Sequence, residues 1–173
     1  DTTLDEEFYF ERLLAAYNTR VALNLMRPDN NSFRLVHGEG DFLPGLVVDI
    51  YGNTAVMQAH SPGMHFARNM IANALVRMPN ALVKNVYYKS ETTLPYITRD
   101  TENYYIIGQY DTNIAVENGL QFHVDWLKGQ KTGFFVDQRE NRLLLEKYAK
   151  GRKVLNMFCY TGGFSFYAMR GGA

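Results

Sequence analysis

The sequence predicts an α/β chain in two parts: an α+β domain over residues 1–110, then the truncated start of a second domain over residues 111–173. Three observations predict it. Short apolar runs alternate with turn residues between Phe33 and Tyr88, and apolar residues recur at helical steps on either side of them. Ile114, Val116, Leu120, Phe122 and Val124 alternate around Asn118-Gly119, the favoured two-residue hairpin turn. Lys153–Phe158 reads as a strand that passes through Gly162-Gly163 into a helix beginning at Phe164, the way a Rossmann-like cofactor domain opens.

Each element has its own signal. Asp5 to Leu25 is predicted helical, because Phe8, Leu13, Leu14, Tyr17, Val21 and Leu25 recur at steps of three and four. Asp5, Glu6 and Glu7 suit the positive end of that helix. Met26–Ser32 carries turn chemistry, Phe33–Val36 is a short strand, and His37–Gly45 is a glycine-punctuated loop. Leu46–Tyr51 and Thr54–Ala59 form a hairpin about Gly52-Asn53. Met64–Met78 is an amphipathic helix and Leu82–Tyr88 a strand, whereas Leu94–Tyr105 gives no clear period. Asp137–Tyr148 is a helix, with Asp137 as its cap, Glu140 at the capping-box position and Gly151 past its end.

Composition narrows the function classes. An apolar fraction of 46% over 173 residues is that of a globular protein. Balanced charge, 18 basic against 18 acidic residues, means that no global field favours nucleic acid, so an RNA role requires a local patch. The 12 Tyr and 11 Phe serve mainly as core, although a few exposed rings could stack on bases. Cys159 is the single cysteine, which excludes an intrachain disulfide. No apolar run is long enough to cross a bilayer and no signal-peptide pattern occurs, so a cytoplasmic location without membrane partners is expected.

Two segments could carry chemistry. At Gly162-Gly163 the backbone can approach a ligand closely, and the following helix offers free N–H groups to an anion. An ordinary strand-to-helix turn would look the same. Between Lys131 and Arg142, the residues Lys131, Thr132, Gln138, Arg139, Asn141 and Arg142 concentrate hydrogen-bonding groups beside Phe134-Phe135. A solvated helix face is the bland alternative. His37, His60, His65 and His123 lack metal-site spacing, so no metal ligands are assigned. Asp41 and Asp49 are read as fixing loop geometry.

The combination Lys131-Thr-Gly-Phe-Phe-Val-Asp-Gln-Arg139 with Leu155-Asn-Met-Phe-Cys-Tyr-Thr-Gly-Gly-Phe164 resembles the class I S-adenosylmethionine-dependent methyltransferases of large-subunit ribosomal RNA, nearest to the cytosine-C5 enzymes. Arg34–Gly52 resembles the central-domain signature of that family, and Asn113–Trp126 the segment that leads into its methyltransferase domain. The resemblance implies S-adenosyl-L-methionine as cofactor and ribosomal RNA, through cytosine C5 of 23S rRNA, as substrate. It also implies a methionine-end pocket wall of Asn156, Phe158, Tyr160, Thr161, Gly162 and Gly163, approached by Phe134, Asp137, Gln138 and Arg139. Arg139 would hold the methionine carboxylate through a bidentate pair. By the same resemblance a PUA domain precedes this region, while the ribose-binding acid and the nucleophilic cysteine come later. The chain starts without methionine and stops one helix after the glycine turn, so an internal fragment, inactive alone and with no catalytic residue of its own, is expected. Cys159 is then a small residue packed near the turn. A homodimer is an admissible assembly.

Two rivals remain. One is a non-enzymatic RNA-binding or ribosome-assembly module. The other, a nicotinamide-dependent oxidoreductase, is disfavoured because Thr161-Gly-Gly-Phe164 lacks the three-glycine dinucleotide pattern.

Overall fold

A computed structural model describes residues 3–94, 102–109 and 113–173. Helix α1 (Glu6–Ala22) is capped by Asp5, whose carboxylate accepts from Phe8 N–H at 2.9 Å. Its buried stripe is Tyr9, Leu13, Ala16, Tyr17 and Arg20, a steady three-to-four spacing. The expected stripe was rotated from this one: Val21 is half exposed, and Arg20 faces inward because its guanidinium pairs with Asp41 and donates to Arg34 O.

Five strands form one sheet in the order β1 (Ser32–His37), β2 (Leu46–Tyr51), β3 (Thr54–Ala59), β4 (Asn85–Tyr88) and β5 (Tyr104–Ile107). The β2–β3 hairpin closes with Tyr51 opposite Thr54, as the Gly52-Asn53 turn dictates. The β3–β4 pair is parallel, and the crossover between them is a broken helix, α2 (Pro62–Phe66) and α3 (Arg68–Val76). The single helix expected over Met64–Met78 thus starts earlier and is interrupted at Ala67. Ser61 accepts from Met64 N–H, and Pro62 suits the first turn. Strand β5 begins at the end of the stretch whose period was unclear and runs past it to Ile107. Residues 95–101 and the boundary expected near Tyr110 lie outside the described residues.

Both faces of the sheet are covered, which is why every residue of β3 is buried. One face packs on α1 and α3 through Leu13, Phe33, Leu35, Val48, Met57 and Ile71. On the other face Tyr51, Val56 and Tyr87 meet Phe122, Trp126, Phe134 and Tyr167 from residues 113–173. The two parts read in the sequence therefore share a buried core.

That second part contains the hairpin β6 (Ile114–Glu117) and β7 (Leu120–His123) around Asn118-Gly119, then α4 (Arg139–Tyr148) and α5 (Gly163–Arg170). Two expectations fail here. Asp137 does not cap α4: it sits within a 3-10 turn, Val136–Gln138, and α4 starts at Arg139 with no side-chain cap. Residues 153–158 form no strand, because no ladder partner lies beside them among the described residues. Leu155, Met157 and Phe158 stand exposed instead.

Candidate functional site

The loop before α4 is held from beneath by a buried polar chain. Asp49 on β2 is fully buried and receives Arg34 Nε at 2.8 Å, Arg34 Nη2 at 3.0 Å and the Thr132 hydroxyl at 2.6 Å. Thr132 Oγ1 also lies 2.9 Å from the Tyr51 hydroxyl, which donates to Phe134 O at 3.1 Å. Burial, and then the Asp49 charge, push the Tyr51 phenol well above its ordinary range, so Tyr51 stays a neutral donor. The chain passes over this anchor at Gly133, φ +118°, where a Cβ would lie 2.9 Å from Val124 Cγ1 and 3.0 Å from Trp126 Cα. Glycine is required there for space and for conformation. Asp49 and Asp41 fix geometry; the latter accepts from Arg20 and from His37 N–H.

A second buried group positions the glycine turn. Arg142 on α4 pairs with Glu117 on β6, donates to Phe135 O at 3.0 Å and lies 4.6 Å over the Phe134 ring. Tyr167 on α5 donates to the same Glu117 carboxylate at 2.9 Å. Gly163, the first residue of α5, fits tightly against this group, since a Cβ would come within 3.2 Å of Arg142 Cδ.

The two segments singled out in the sequence meet through Tyr160. Its hydroxyl donates to Gly133 O at 3.1 Å and accepts from Gln130 N–H at 2.9 Å, and its ring packs edge-on to Phe135 at 5.4 Å. Gly162 precedes α5 at φ +75°. Two non-glycine residues, Phe158 at φ +58° and Tyr160 at φ +49°, also adopt the left-handed region. Such backbone persists only where surrounding structure enforces it, and it clusters at ligand sites.

The remaining candidates are placed as follows. Asn156 donates to Ser165 Oγ at 2.9 Å, which ties the approach segment to α5. Thr161 is partly buried beside the turn, and Phe158 is almost wholly exposed. Gln138 bridges Asp137 and Asn141, and Arg139 Nε pairs with Glu140 at 3.0 Å. Asp137 and Arg139 line a cleft of about 380 Å³ with Arg20, Arg34 and His37. Phe134 departs from expectation: it is 3% exposed and packs against Phe122, supporting the segment from within. Cys159 departs as well, since its thiol is exposed where a packed residue was expected. Sequence reasoning missed Tyr51 and Glu117. The first looked like any strand aromatic and the second like any hairpin carboxylate. An acid preceding Asn-Gly in an otherwise apolar strand was the only available signal.

Among the described residues no helix is long and apolar enough to cross a membrane.

Residues 93–173 match the family described as S-adenosylmethionine-dependent methyltransferase. The chain's relatives narrow the class. The chain is 37% identical over 177 residues to a ribosomal RNA large subunit methyltransferase I from Tolumonas auensis, covering 100% of this chain and 44% of the relative. It is 39% identical over 178 residues to the protein of the same name from Aeromonas hydrophila, with the same coverage, 100% and 44%. It is 38% identical over 183 residues to a ribosomal RNA large subunit methyltransferase from Deinococcus radiodurans, covering 99% of this chain and 44% of that protein. A solved Streptococcus mutans structure, assigned to the S-adenosylmethionine-dependent methyltransferases, superposes with a TM-score of 0.84 at 26% identity, over 100% of this chain and 44% of that one. Another solved structure, assigned as a methyltransferase and complexed with S-adenosylhomocysteine (SAH), superposes with a TM-score of 0.83 at 25% identity and the same coverage, 100% and 44%. The chain thus spans less than half the length of the relatives it matches.

Proposed function

We propose that the protein carrying this chain transfers a methyl group from S-adenosylmethionine to a base of large-subunit ribosomal RNA in the cytoplasm, and that the base is cytosine, methylated at C5 in 23S rRNA. The observation that carries the reading is the Tyr160 hydroxyl, which bridges Gln130 and Gly133. It makes one wall of the two segments that resemble the cofactor signature.

The residues of this wall fit the group. Gly162 provides a turn without a side chain, and the first turn of α5 offers N–H groups and a positive dipole end. Arg139 supplies a guanidinium and Asn156 an amide. When bound, S-adenosylmethionine supplies an electrophilic methyl on its sulfonium. Arg139 or the α5 terminus would attract the methionine carboxylate, Gly162 would allow the backbone to approach it, and the Tyr160 bond keeps loop 130–133 in place. None of these residues is assigned as nucleophile. C5 methylation needs a thiolate at C6, and the family resemblance puts that cysteine in a later segment. No observation supports a homodimer.

The test is incubation of the full-length protein with tritiated S-adenosylmethionine and unmodified 23S rRNA. Label should be recovered as 5-methylcytidine, and the 173-residue chain alone should transfer none, since among the described residues its Val154–Phe158 segment lacks the ladder that would fix a cofactor domain. Label in another nucleoside would refute the C5 assignment. Absence of transfer by a full-length protein that binds RNA but not SAH would favour the RNA-binding module.

A further inference from the structure

A second cleft, of about 550 Å³, is bordered by loop 127–131. Its floor is the carboxyl ends of the two parallel strands: Gln58 and His60 at the end of β3, and Lys89 directly after β4. Carboxyl ends of parallel strands are where α/β sheets hold ligands, because the chain leaves the sheet there and opens a crevice. Lys128 and Lys131 border the cleft from the loop.

The charge of this cleft is unbalanced. Among the described residues that line it, its three lysines face one carboxylate, Glu91, and that carboxylate already accepts from Asn103 Nδ2 at 3.0 Å. Lys89 is partly buried and donates to Gly129 O at 2.5 Å, a neutral partner. An ammonium has three donors, and no ion pair engages this one among the described residues. Burial lowers the affinity of Lys89 for its proton, only partly offset by Asp125. A bound anion would relieve that cost. Lys131 is held in the left-handed region at φ +52°, a conformation uncommon for lysine. In a protein of zero net charge, this is the local concentration of cations that an RNA role requires. The loop that carries it is the loop bonded to Tyr160, so the cleft adjoins the cofactor wall.

We propose that this cleft binds the sugar-phosphate backbone of single-stranded RNA next to the base being methylated, with Lys89, Lys128 and Lys131 as the phosphate-binding cations. The proposal rests on the RNA methyltransferase reading. Backbone contacts of this kind set register and orientation and carry no sequence information.

The test is fluorescence anisotropy of a labelled single-stranded RNA with the full-length protein and with its Lys128→Glu/Lys131→Glu variant. Both lysines are exposed, and a thermal melt checks that the fold survives. A control variant, Lys84→Glu/Lys147→Glu, makes the same charge change outside the cleft. The cleft variant should bind roughly tenfold more weakly, and its log–log salt slope should flatten by about 1.4, or about 0.7 for each phosphate that a lysine no longer neutralises. The control should retain both affinity and slope. Equal weakening by both variants, or by neither, overturns the proposal. So does competition by inorganic phosphate as effective as that of unlabelled RNA at equal phosphate concentration, which would make the cleft a free-phosphate site. Titration of the full-length protein with SAH tests the cofactor wall separately, so the two readings can fail independently.

Discussion

Arg142 and Glu117 form a two-point ion pair inside the protein, 2.7 Å from both Nε and Nη2, with side chains 3% and 0% exposed. The pair joins a hairpin strand to α4, and Tyr167 adds α5 by donating to the same carboxylate. Burial, and then the Glu117 charge, raise the Tyr167 phenol, so it remains a donor. This three-way knot sets where Gly163 begins its helix.

Removing Glu117 should therefore be costly. Glu117→Ala would leave a buried guanidinium unpaired, a loss of about 3–5 kcal/mol, or a melting-temperature drop of roughly 6–20 °C in a protein of this size. Glu117→Gln, which keeps acceptor and shape, should cost less. Thermal denaturation followed by circular dichroism measures both. An alanine variant that melts with the unsubstituted protein would show the pair to be incidental.

Thr132 tests the other anchor. Thr132→Val removes the donor to Asp49 and the partner of the Tyr51 hydroxyl while preserving shape, and should cost about 1–3 kcal/mol through the buried groups left unsatisfied. Thr132→Ser should restore most of it. If the anchor also positions the cofactor wall, the valine variant of the full-length protein should bind SAH more weakly and the serine variant normally. Equal SAH affinity in both would limit Thr132 to stability.

Gly162 and Arg139 test the wall itself. A Cβ at Gly162 would come no closer than 3.5 Å to Phe166, so Gly162→Val acts through its backbone, held at φ +75°, and through the ligand's space. Arg139→Ala should remove a charge-assisted contact worth about 1.5–3 kcal/mol, roughly ten- to hundred-fold in affinity. Its pair with the exposed Glu140 adds little to stability. Calorimetric titration of the full-length variants with SAH is the measurement, after a melting check. Unchanged affinity in both would remove the cofactor reading of this segment.

Cys159 is exposed and lies in the turn that precedes α5. In the full-length protein, Cys159→Ala and Cys159→Ser should both keep methyl transfer and the covalent RNA adduct. Loss of turnover and adduct together, with SAH affinity intact, would make Cys159 the nucleophile.

Local pattern decided what could be read from the sequence. The Gly52-Asn53 and Asn118-Gly119 turns specify their hairpins because a two-residue loop fixes both turn type and register. The two cofactor-like segments were legible because their residues are adjacent in sequence. Tertiary structure decided the rest. Asp49 and Thr132 are 83 residues apart, so no window of sequence holds both. Val154–Phe158 has the composition of a strand, yet a strand exists only when a neighbour completes its ladder. The capping box at Asp137 lost to a 3-10 turn because Arg142, bonded to Phe135 O and Glu117, sets how the chain enters α4. The lysine cleft depends on a parallel strand pair joined by a helical crossover, and only the folded chain brings Lys89 beside Lys128 and Lys131.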